Sequence, residues 1–168
     1  MMTQFKRLSQ TQLDTWVIEA KSIAQTGRIP SYIPQLAQVN RDRLAVHIKA
    51  TNGQSFSAGQ IASEFALMSV VKPFVLLFLL EQLGQQAVFR QVGQHPSDQP
   101  FHSVNQLTAD GGFPRNPMIN SGAIALADLL PGKQGRDRCE SLRQWLNQAS
   151  GAQLTLDKAM LASVRSVG

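Results

Sequence analysis

Ser69 and Lys72 stand in the segment Ser69-Val70-Val71-Lys72, a hydroxyl and an amine three residues apart. On a helix this spacing puts both side chains on one face, about 5–6 Å apart at Cβ. An uncharged lysine there can take the proton of a serine hydroxyl, whose oxygen then attacks a carbonyl carbon. The positive end of a helix dipole and the removal of water both disfavour an ammonium ion. A helix starting near Ser69 in a dry niche would therefore suit the pair, and would aim backbone N–H groups at the serine as half of an oxyanion hole. The structural alternative is a lysine snorkelling from an apolar helix beside a serine that caps it.

Two further positions could serve a substrate. Asn120 lies in Asn116-Pro117-Met118-Ile119-Asn120-Ser121-Gly122. Asn116 followed by Pro117 reads as a helix N-cap and first helical residue, and Gly122 would let another element approach closely. The Asn120 amide donates and accepts together, as recognition of an amino-acid zwitterion requires; the alternative is a plain helix residue. Tyr32, the only tyrosine, lies in the proline-bracketed loop Ile29–Pro34. Its phenol could serve a site or simply anchor the loop. His47, His95 and His102 have no metal-ligand spacing with one another or with Cys139, so neither a metal nor a cofactor is expected.

These residues need elements to hold them. Ser9–Gln25 reads as a helix with Leu13, Trp16, Val17, Ala20 and Ala24 on one face, and Ser9 with Gln12 resembles a capping box. Leu44–Ala50 alternates as a strand, Thr51-Asn52-Gly53 carries the Asn-Gly signal of a tight hairpin, and Gln54–Ala58 returns. Phe65–Leu80 is the most apolar stretch; it falls short of the ~20 residues of a membrane span and is broken by Ser69, Lys72 and Pro73. Proline is tolerated in a first turn, so a buried helix from near Ser69 to Gly84 is expected. Further helices are predicted over Gln85–Val92, Met118–Leu130 and Glu140–Gln148, with a long ordered loop over Gly93–Pro117.

Composition narrows the classes. The chain has 168 residues, 43% hydrophobic and 16% charged, which excludes a disordered or collagen-like chain. One cysteine excludes an intrachain disulfide framework. The net charge of +5 comes from scattered basic residues without aromatic interleaving, which argues against nucleic-acid binding. No signal peptide is readable at the start. A cytoplasmic protein with no membrane or nucleic-acid partner is expected.

Taken together, GRIPSYIPQLA, the hairpin, MSVVKPFVLLFLLEQLG, VGQHPSDQPFHSVNQL and GGFPRNPMINSGAIALADLL resemble the serine-dependent glutaminases, from about Trp16 to the last residue. The resemblance implies an α+β, β-lactamase/transpeptidase-like fold, here mostly helical with an N-terminal antiparallel hairpin and without the C-terminal strands of the sheet. It implies Ser69 as nucleophile and Lys72 as its base, with Tyr32, Ser69 and Asn120 binding L-glutamine. It implies a homo-oligomer, dimer or tetramer, and a loop from about Ser97 to Phe113 beside the site entrance.

The chain departs from the family's pattern at several positions. Met68 replaces a glutamine before the nucleophile, and Asp98 and His102 replace glycine and asparagine. Val164 stands where the family carries a substrate-binding glutamate. By the same resemblance, residues 1–168 are expected to be one incomplete domain with exposed apolar surface and open sheet edges. Two other readings stay open. One is a shortened, inactive relative. The other is a penicillin-binding or β-lactamase-type acyltransferase, against which stands the absence of a Lys-Thr-Gly.

Overall fold

Ser9 starts the first helix, α1 (Gln10–Ala24): its Oγ accepts the Gln12 N–H at 3.2 Å, filling one of the donors that a helix start leaves free. The computed structural model describes residues 8–167. They gather into two units. One comprises the described residues up to Ala66 together with those from Asp157 onward; the other is Leu67–Leu156.

In the first unit, β1 (Ala45–Lys49) and β2 (Ser55–Gly59) pair antiparallel, with Val46 opposite Ala58 and Ile48 opposite Phe56. Alternation turns Leu44, Val46 and Ile48 toward α1, where Leu13, Val17 and Ala58 form the buried centre. Trp16, expected on that face, is half exposed, because Leu13 and Val17 already cover the narrow two-stranded surface. The hairpin turns through Thr51–Gly53, closed by Ala50 N–H to Gln54 O at 2.8 Å and Gly53 N–H to Ala50 O at 3.0 Å. The loop has the three residues that the sequence places between the strands, its last residue at φ 88. The edges are not wholly open either. The Gln10 amide donates to Ser57 O at 2.7 Å and accepts the Ser57 N–H at 3.4 Å, covering the middle of β2 as a strand would. A short helix, α2 (Pro34–Ala37), receives the last helix of the chain, α7 (Lys158–Arg165), through Gln35 N–H to Ser163 Oγ at 3.1 Å. The sequence reading missed α7, although Asp157 caps it by accepting the Met160 N–H.

The second unit is helical. A 3-10 turn, Met68–Val71, runs into α3 (Lys72–Val88), and Pro73 falls in its first turn as required. Gly84, at φ 75 and ψ 163, breaks the helix where the sequence ends it, in a conformation that a side chain would resist. The helix expected over Gln85–Val92 shrinks to the last turn of α3. The long loop carries α4 (Val104–Ala109). It leads to α5 (Asn120–Asp128) and α6 (Gly135–Ser150). The last starts five residues before Glu140, because the Asp137 carboxylate accepts the Gln134 N–H at 3.2 Å.

Val75, Phe78, Leu79 and Val88 of α3 pack with Leu126, Leu130, Leu142 and Leu146 as the core of this unit. Met68–Val88 counts 21 residues and is long and apolar enough to cross a bilayer by length and composition alone, but Gly84 breaks it and the unbroken apolar part is shorter. Its place in a core shared with α5 and α6 is what gives its apolar face a use. Val70, Phe74, Leu77 and Leu83 remain exposed on the same run, the apolar surface that the sequence predicts.

Candidate active site

Ser69 lies in the 3-10 turn, and the Lys72 backbone N–H donates to its carbonyl. Residues i and i+3 eclipse in such a turn, so both side chains leave the chain on one side. Ser69 is exposed and Lys72 half-buried. Among the described residues, then, the pair has no water-free niche, which corrects the expectation of a dry one. Nor does Lys72 bond Ser69 Oγ there: its Nζ donates to Met118 O at 3.0 Å and to Asn120 Oδ1 at 2.8 Å. Directly before the serine, Met68 adopts φ 44. That region costs a residue with a side chain about 1–3 kcal/mol and tends to persist at functional sites. No residue type or spacing announces it.

Asn120 heads α5, and its backbone N–H donates to Phe101 O at 2.8 Å. Asn116 is not the helix N-cap, which is Ile119. Instead the Asn116 Oδ1 accepts the Met118 and Ile119 N–H groups at 2.9 and 3.2 Å, shaping a turn that delays the helix to Asn120. Gly122 then lies against the Asn116 carbonyl, where a Cβ would come within 1.9 Å of the oxygen. Phe101, which the residue-by-residue reading overlooked, sets its ring 5.8 Å from Lys72 Nζ, within cation–π range. The one available signal was an aromatic residue in a Gly/Pro-rich loop. Its neighbour His102 meets the ring edge-on at 5.0 Å.

Arg115 orders that loop. It grips Asp110 through Nε at 2.7 Å and Nη2 at 3.0 Å, and Asp98 through Nη1 at 2.6 Å. Asp98, a departure from the family's pattern, thus has an ionic partner, and the buried Gln106 donates to Asp110 at 2.9 Å. A cleft of about 530 Å³ opens beside Arg115, lined by His95, Asp98 and Phe113, but it contains none of Ser69, Lys72 or Asn120. The Arg115 hydrogen bond holds the Asp110 carboxyl below its ordinary value, and burial only partly opposes it. A pKa lower in the folded state gives stability that is present above the unfolded value near ~4 and lost as pH falls through the folded one. The unfolding midpoint is therefore expected to drop on acidification below about pH 4, and less steeply in Asp110→Asn. Identical slopes in thermal melts of the two proteins would contradict this.

Tyr32 and Val164 belong to the first unit. Tyr32 is 70% exposed, two residues before α2, and Val164 is 38% exposed on α7. The Gln35–Ser163 bond brings the elements that carry them together. His47 Nδ1 shares a 2.7 Å hydrogen bond with Ser57 Oγ across the hairpin. Among the described residues no three His, Cys, Asp or Glu side chains converge as metal ligands.

An apolar helix opening on Ser-x-x-Lys, an asparagine-headed helix bonded to that lysine and a small antiparallel sheet define a protein of the β-lactamase-like fold class. The glutaminase family model matches residues 27–168. The chain belongs to the glutaminase family. It is similar to a glutaminase of Synechocystis sp., 45% identical over 99% of this chain and 51% of the relative. Among solved structures it resembles a probable glutaminase, YbaS, at 33% identity and TM-score 0.77, covering 89% of this chain and 51% of that one. It also resembles a probable glutaminase from Bacillus subtilis complexed with 6-diazo-5-oxo-L-norleucine, at 25% identity and TM-score 0.77, covering 94% and 47%. The chain spans about half the length of these relatives.

Proposed function

We propose that the protein hydrolyses the side-chain amide of L-glutamine to L-glutamate and ammonia through an acyl-enzyme on Ser69, with Lys72 as the base. The observation that carries this reading is the setting of Lys72 Nζ, bonded to Met118 O and Asn120 Oδ1. A neutral amine has two N–H donors and one lone pair. In the uncharged form that the step needs, the two acceptors would take those donors and leave the lone pair for the Ser69 proton. Ser69 Oγ then attacks the amide carbon, Lys72 passes the proton to the leaving nitrogen, and ammonia departs. Water, deprotonated by the same amine, attacks the ester carbon, and the amine returns that proton to Ser69 Oγ as glutamate leaves.

With its oxygen given to Lys72, Asn120 has its NH₂ group to offer. That suits the substrate α-carboxylate rather than the whole zwitterion. Where the family's sequence pattern carries a substrate-binding glutamate this chain has Val164, which has no acceptor for an α-ammonium group, so weak glutamine binding and a high KM are expected. The test uses 6-diazo-5-oxo-L-norleucine, the compound complexed with the Bacillus subtilis relative. Incubation should place one adduct on Ser69 by peptide mass mapping, and Ser69→Ala should show none. An unlabelled Ser69 together with no ammonia release from glutamine would sink the reading and favour an inactive relative.

A further inference from the structure

The first unit contains a cleft of about 340 Å³ lined by three arginines, Arg28, Arg41 and Arg43, and by no acidic residue. Arg41 is fixed there: its Nη2 donates to Gln25 O at 3.0 Å and Gly27 O at 2.9 Å, closing the carbonyl end of α1. Arg28 and Arg43 differ from it. Among the described residues neither guanidinium has a hydrogen-bond acceptor or an ion-pair partner. Asp42, the acid between Arg41 and Arg43, instead accepts the Gln25 amide at 3.0 Å and is not part of the lining. Apart from Asn40, the remaining wall is apolar, with Ile29, Leu36 and Val39. Two arginines without partners in a cleft that also presents apolar side chains match a ligand with a doubly charged, multi-oxygen head and a hydrophobic body.

The structure assigns this cleft to an organic phosphate monoester, its head held by Arg28 and Arg43 and its body lying on Ile29, Leu36 and Val39. The site shares no residue with Ser69, Lys72, Asn120 or Tyr32, so it does not depend on the catalytic reading. It is a second binding site on the chain.

The test follows backbone amide resonances of the whole chain while phenyl phosphate is added at constant ionic strength. Saturable shifts are expected at Ile29, Leu36 and Val39. Phenylacetate, with one charge, and inorganic phosphate, with no apolar body, should each bind about tenfold more weakly. The double variant Arg28→Gln/Arg43→Gln should lose about tenfold or more in affinity, because each substitution removes a charge-assisted contact. Should that variant fold poorly, salt gives the same reading: affinity in the unaltered chain falls as sodium chloride rises from about 50 to about 500 mM. Absence of saturable shifts, equal binding of the three probes, or an affinity indifferent to both variant and salt would overturn the assignment.

Discussion

Lys72→Met is expected to lower glutamine hydrolysis by about 10²–10⁴-fold, the range that a positioned general base contributes. Methionine keeps an unbranched chain of nearly the same length but has no Nζ, so it cannot accept a proton and loses the cation above Phe101. The loss alone would not separate a base from a strut, because Nζ also ties Met118 O and Asn120 Oδ1 together. Lys72→Arg separates them. A guanidinium can donate to both oxygens yet never gives up its charge near neutral pH, so it replaces the strut and not the base. The expected result is that arginine is as inactive as methionine while the melting temperature stays near that of the unaltered protein. Recovery of most of the activity by arginine would reduce Lys72 to a positioning residue and remove the basis of the Ser69 mechanism.

The largest expected effect on stability comes from one methyl group. Gly122→Ala would place its Cβ 1.9 Å from the Asn116 carbonyl oxygen, 2.8 Å from the carbonyl carbon and 3.1 Å from Val92 Cγ2. Two of these are backbone atoms, which cannot rotate away as a flexible side chain could. Either α5 moves off the turn that Asn116 shapes, or the turn opens and gives up its bonds to the Met118 and Ile119 N–H groups. Overpacking of this kind costs about 3 kcal/mol or more. For a chain of this size that corresponds to a fall of roughly 6–12 °C in melting temperature. The same shift would carry Asn120 away from Lys72, so activity should fall together with stability. Thermal melts that agree within about 2 °C would show that the turn yields more easily than its contacts imply.

Much of this arrangement is legible in the residues. The proline rule placed the start of the long helix within a few residues, and period-two alternation found the face of the hairpin that packs on Leu13 and Val17. The sequence reading was poorer where a side chain overrides a local preference. Asn-Pro reads as a cap, but the Asn116 side chain closes a turn ahead of the helix instead. Apolar spacing starts α6 at Glu140, whereas a hydrogen bond from the Gln134 N–H to the Asp137 carboxylate extends the helix into a polar stretch. Helix α7 was missed because its apolar residues are few and a single aspartate starts it.

By itself the sequence determined which groups could react and the face they share: three residues of separation bring a hydroxyl and an amine to one side of any helical turn, whatever surrounds them. What that amine touches was decided only by the tertiary structure. Met118 O, Asn120 Oδ1 and the Phe101 ring come to Lys72 from segments about 30 to 48 residues away, and no local periodicity records such distances. The folded structure also withheld something that the sequence had led us to expect. Burial is a property of everything packed around a residue, and the described residues leave Ser69 exposed.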